Sequence, residues 1–107
     1  MKMKKVSLQK RKEYVEALYK IITEQQRVIE LIESYVPQSL EARIIHEYAI
    51  EGSVTVVANK LNEEGIRLEG RKYISNDITS ILLQKPKDDL YQITQEAFKH
   101  NKAGVRY

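Results

Sequence analysis

The chain has no cysteine and only two histidines, two prolines and four glycines among 107 residues. Each shortage removes a class of chemistry. Without cysteine there is no disulfide, no thiolate metal site and no cysteine nucleophile. His46 and His100 stand far apart, and neither an HExxH nor a His-x3-His spacing occurs, so no metal centre and no cofactor are expected. Gly65 and Gly70 are isolated turn residues, not a phosphate-cradling loop. Adjacent carboxylates such as Glu63 and Glu64, or Asp88 and Asp89, point to different helix faces and form no acid–base pair. No serine has a histidine in a recognisable arrangement beside it. The expectation is a protein that is not an enzyme. A basic start without a following apolar run speaks against a signal peptide and a membrane span, and for a cytoplasmic protein with no membrane partner.

What is present is charge and helical periodicity. A chain of this length can bury a core without staples. The net charge of +3 is unevenly spread. Residues 1–36 hold eight Lys/Arg and five Glu, residues 37–66 two basic and five acidic, and residues 67–107 eight basic and five acidic. Positive charge thus sits at both ends, a pattern found in nucleic-acid proteins and also on ordinary solvated surfaces.

No internal repeat or low-complexity tract interrupts a reading made almost wholly of helices. The spacing predicts a first helix from about Ser7 to Tyr35, stopped by Pro37. Tyr14, Leu18, Ile21, Val28, Ile32 and Tyr35 alternate in steps of four and three, with Gln25 in the missing place. Val15, Ile22, Ile29 and Val36 run beside them at intervals of seven. This is a heptad seam widened by its e positions. A helix roughly 40 Å long either folds against its own domain or self-associates. Its length favours the second, with Tyr14, Leu18, Ile21, Ile22, Gln25, Val28, Ile29, Ile32 and Tyr35 as the interface, and Gln25 as the polar residue that sets register.

Beyond Pro37, Ser39 caps a helix carrying Leu40, Ile44, Ile45, Tyr48 and Ala49 inward, and Gly52 ends it. Ser53 opens the next, which buries Val54, Val57, Ala58 and Leu61 and stops at Gly65. The stretch "IRLEGRKYI" reads as a loop or short hairpin with Gly70 at its turn. A further helix from Ser75 or Asn76 turns Ile78, Ile81 and Leu82 inward and Asn76, Thr79, Ser80 and Leu83 outward. After "KPK", Asp88 or Asp89 caps a last helix with Leu90, Ile93, Ala97 and Phe98 inward. The expected fold is all-α, in three parts: 1–36 an oligomerisation helix with a basic arm, 37–86 a helix-turn-helix-like unit, and 87–107 a C-terminal helix and tail.

The run "RIIHEYAIEGSVTVVANKLNEEGIRLEGRKYISNDITSILLQKP" resembles the DNA-binding recombinase domain of large serine recombinases. The matching positions are Tyr48, Ala49, Gly52, Ser53, Val57, Ala58, Leu61, Asn62, Gly65, Ile66, Gly70, Tyr73, Ile78, Ile81 and Leu82. The resemblance covers about 45 residues, with "LN-x-x-GI" and the downstream aromatic as its distinctive part. It implies double-stranded DNA as a partner. It does not imply recombination chemistry, because residues 1–36 form a helix and not a nucleophile-bearing α/β domain. Where the family commonly carries arginine after the central apolar residue, this chain has Thr79 and Ser80.

DNA contact would therefore rest on Arg67, Arg71 and Lys72 in the loop, Lys85 and Lys87 after the helix, and the basic arm of Lys2, Lys4, Lys5, Lys10, Arg11 and Lys12. Base reading would fall to Asn76, Thr79, Ser80 and Gln84, whose amides and hydroxyls can donate and accept, with Ser75 a further DNA-binding candidate at the helix start. The same polar residues also suit a merely solvated helix face. Asn62 reads as structural, and Tyr73 as packed beneath the loop. The expected function is a small dimeric DNA-binding regulator of mobile-element type. The alternative is an adaptor or antagonist that keeps the scaffold but binds a protein.

Overall fold

The computed structural model describes residues 7–102 and the side chains of residues 7–100. It contains five helices: α1 Leu8–Ser34, α2 Leu40–Glu51, α3 Val54–Glu63, α4 Ser75–Leu82 and α5 Asp89–Lys102. No strand occurs among the described residues, so the fold is all-α. The chain divides into two compact units between Ser34 and Tyr35.

The first unit is α1. Ser7 opens it, its hydroxyl accepting the Lys10 N–H at 3.2 Å. At the far end the Ser34 hydroxyl donates to the Glu30 carbonyl at 2.7 Å. Pro37 restricts the residue before it to extended backbone, so the helix does not continue through Val36. None of the 27 residues of α1 is buried.

In the second unit, local capping sets each boundary. Ser39 accepts from Ala42 N–H at the start of α2, and Ser53 accepts from Val56 N–H at the start of α3. Each satisfies a donor that a helix start leaves open. Between them Gly52 takes φ 70° and returns its N–H to the Tyr48 carbonyl, a left-handed position that glycine adopts without steric cost. Two residues thus join α2 to α3. Asp88 caps α5 by accepting from Tyr91 N–H at 2.8 Å.

Helix α2 is the hub, packing on α3, α4 and α5, while α3 also meets α4 and α4 meets α5. Ile44, Ile45, Val57, Leu61, Ile78, Leu82 and Leu90 are fully buried at this centre. Each contributes roughly 1.5–3 kcal/mol of burial. Tyr48 meets Phe98 edge-on at 5.8 Å. The C-terminal helix, read from sequence as a segment of its own, therefore belongs to the same core as residues 37–86. Leu40, expected inward, is 43% exposed. It stands on the first turn of α2, at the open rim of a groove that it shares with α4.

Candidate nucleic-acid interface

The loop between α3 and α4 is built on two devices. Leu68 and Arg71 exchange backbone hydrogen bonds of 2.8 and 3.1 Å across Glu69 and Gly70. Those two residues have φ of 50° and 86°, the left-handed pair of a type I′ hairpin turn. Below the hairpin, the Asn62 amide clamps the backbone of Tyr73, donating to its carbonyl at 2.9 Å and accepting its N–H at 2.7 Å. Tyr73 is buried, as a residue packed beneath the loop must be. Arg67 donates to the carbonyls of Asn62 and Ile66 at 3.1 and 3.0 Å, closing the C-terminal end of α3.

Arg71 leaves this hairpin facing α4. Its guanidinium makes a two-pronged pair with Asp77, at 2.9 and 2.7 Å. Asp77 also accepts the Ile74 N–H at 2.8 Å, so one carboxylate both caps α4 and holds the loop. Ile74 has no side-chain oxygen, which leaves this the only half of a capping box that α4 can form. The Arg71 hydrogen bonds, then the Ile74 N–H, hold the Asp77 carboxyl down at about 2, from an ordinary 3.8.

Along α4, Ile78 and Leu82 are buried, Ile81 and Thr79 are half-buried, and Asn76, Ser80, Leu83 and Gln84 are exposed. The expected inward and outward faces hold. Of the outward set, Asn76, Ser80 and Leu83 are exposed and Thr79 is half-buried at its edge, while Gln84 lies just beyond the helix. Ser80 donates its hydroxyl to the Asn76 carbonyl at 2.9 Å, leaving its lone pairs to accept. Ser75 differs from expectation, because its hydroxyl lies 3.0 Å from that of Thr55 and ties α4 to α3. Ser80, Ile81 and Gln84 also edge a groove of about 330 Å³ that reaches Leu40 and Ile44 on α2.

The open C-terminal carbonyls of α4 are met from α5. The Tyr91 hydroxyl donates to Ile81, and the Gln95 amide donates to Leu82 and Gln84 at 2.8 and 2.7 Å. Tyr91 and Gln95 therefore aim the exposed face, and both were missed in sequence. No local signal marked them, because the carbonyls they meet belong to another part of the chain.

The cations divide into two groups. Arg71 is paired with Asp77, and Lys87 donates to Glu41 at 2.8 Å. Lys72 and Lys85, one just before α4 and one just after it, are exposed and form no ion pair among the described residues. Elsewhere in the unit, the buried Glu47 takes Arg43 at 3.4 Å and Lys60 at 2.8 Å, and Arg43 reaches Glu64 at 2.5 Å. This cluster joins α2 to α3, and it too was not foreseen. Ten Lys/Arg and ten Asp/Glu in residues 35–107 cancel, so the whole +3 lies in residues 1–34, which hold eight and five. Of the basic arm, Lys2, Lys4 and Lys5 lie outside the described residues.

On α1 the seam residues Leu18, Ile21, Ile22 and Ile29 are exposed, and Tyr14, Val28 and Ile32 half-buried. Tyr35, expected in that seam, has another task. It lies beyond α1, in the second unit, where its ring faces His46 at 5.2 Å and its hydroxyl donates to Asp88 at 2.6 Å. Burial and the Asp88 contact push its hydroxyl up to about 12.

No group of acidic, histidine or cysteine side chains among the described residues is arranged to hold a metal, and no described helix is long and apolar enough to cross a membrane. No family model, curated protein or solved structure matches the chain.

Proposed function

We propose that this chain is a self-associating, non-catalytic DNA-binding protein that presents α4 to the major groove. The observation that carries the reading is the face of α4. A short helix buries Ile78 and Leu82 and exposes Asn76 and Ser80, with Gln84 exposed just beyond its end and Lys72 and Lys85, in no ion pair among the described residues, on its two sides in the chain. Amides and hydroxyls can read base edges, while flanking lysines hold the phosphates on either side. The resemblance of residues 43–86 to recombinase DNA-binding domains supports the same reading.

The test is fluorescence anisotropy of a labelled random duplex at two salt concentrations. Binding should weaken steeply as salt rises. Lys72→Ala with Lys85→Ala should flatten the salt slope by about one unit per lost phosphate contact. Asn76→Ala with Ser80→Ala should leave random-duplex binding nearly unchanged. It should reduce discrimination between a selected site and random DNA by about 1–3 kcal/mol per lost base contact. No binding at low salt ends the reading.

A protein partner is the second reading, favoured by one set of observations. Arg71 and Lys87 are already paired with Asp77 and Glu41, and Leu83 is 48% exposed at the end of α4. On that reading Leu83 is the anchor, and no duplex binds at any salt.

A further inference from the structure

We propose that α1 pairs with α1 of a second copy in the antiparallel direction. This rests on the self-association proposed above and adds its orientation, for which three features of the helix agree.

The first is the flank of the seam. In heptad terms Tyr14, Ile21 and Val28 are d, Leu18, Gln25 and Ile32 are a, and Val15, Ile22 and Ile29 are e. The e residues Val15, Ile22 and Ile29 are each about half exposed. In a parallel pair, an e position faces the preceding g of its partner. That would set Val15 against Lys10 and Ile29 against Glu24, apolar against charged, with Ile22 alone meeting an apolar residue, Ala17. Reversing one helix brings e against e instead. Val15 then meets Ile29, and Ile22 meets its own copy.

The second is register. With residue 23 at the two-fold axis, Tyr14 lies beside Ile32, Leu18 beside Val28 and Ile21 beside Gln25. Every a and d residue from 14 to 32 finds a partner.

The third is charge complementarity. Residues 8–20 carry Lys10, Arg11, Lys12 and Lys20 against Glu13 and Glu16, a net +2. Residues 21–34 carry Arg27 against Glu24, Glu30 and Glu33, a net −2. No acidic residue lies in the first turn and no basic residue in the last, so the terminal charges run against the helix dipole. A parallel copy stacks like on like. An antiparallel copy sets the basic half of one helix beside the acidic half of the other, and each dipole end beside its opposite. The two chains then leave the pair at opposite ends, roughly 40 Å apart.

The natural absence of cysteine makes the test clean. Leu18→Cys and Val28→Cys chains, one isotopically labelled, are mixed under mild oxidation, and the disulfides are read by mass. Circular dichroism checks that each variant remains helical. The antiparallel pair gives the mixed 18–28 product and neither homodimer, because like positions lie about 15 Å apart along the axis, too far for a disulfide. Products 18–18 and 28–28 overturn the orientation and leave self-association standing. Absence of any cross-link also overturns it, and sedimentation of the unmodified chain then decides whether self-association falls with it.

Discussion

The two units of this chain are both amphipathic and helical, yet only one closes a core. In the second unit, short connections return each helix to its neighbours, and Ile44, Leu61, Ile78 and Leu90 lose almost all contact with water. In the first, 27 residues run without a turn, and Ile21 remains 58% exposed. Apolar periodicity states that a helix face is to be covered. What covers it depends on whether the chain folds back.

This contrast can be broken or sharpened by mutation. The largest effect is expected at Leu82, which is fully buried. Leu82→Ala should destabilise the second unit by about 2–5 kcal/mol, through lost burial and the cavity left behind. Denaturant titration measures this. Under the same titration Ile21→Ala in α1 should leave that unit's stability unchanged within about 0.5 kcal/mol. Next comes the seam itself. Leu18→Asp with Ile21→Asp should convert the proposed assembly to monomers in sedimentation velocity while leaving the melting of the second unit in place. If both change together, the stability of the second unit depends on the state of α1.

A smaller gain is expected from Thr94→Val. The Thr94 hydroxyl is buried on α5 and has no hydrogen-bond partner among the described residues. Removing a buried, unsatisfied polar group should stabilise the second unit by about 1 kcal/mol.

The finest test is pH dependence, which should arise from particular groups of the second unit. Asp77 titrates at about 2 in the fold, below its ordinary 3.8. Its contribution is therefore present above about 3.8 and lost as pH falls through about 2. Asp77→Asn should flatten that acid limb. Tyr35 is shifted the other way, to about 12 from 10.0. Its contribution is complete below 10.0 and lost as pH rises through about 12. Tyr35→Phe should remove that loss. Denaturation across both limbs checks the pair.

Much of this was legible in the residues themselves. Ser39, Ser53, Gly52 and Asp88 mark helix ends by local hydrogen bonding, and that information lies within three or four residues of each. The inward set of α4 followed from the helical repeat alone. The turn at Glu69 and Gly70 was visible as a glycine between two short apolar stretches.

Other features required the tertiary fold, because they join residues distant in sequence. Nothing in the local pattern indicates that Gln95 closes the carbonyls of α4, since an isolated glutamine on a helix reads as solvated. Glu47 carried no mark in the sequence, and it is buried because α3 brings Lys60 beside it. Arg71 and Lys72 read alike, as two basic loop residues. Only the hairpin's direction gives Arg71 to Asp77 and leaves Lys72 unpaired. Tyr35 likewise continued the heptad on paper, until the second unit offered His46 and Asp88. By itself the sequence determined the helices, their caps and their apolar faces, because those depend on neighbours within one or two turns. The packed fold decided which charges are spent and which side chains close the carbonyls of α4, because electrostatic pairing and carbonyl capping depend on what lies across the core.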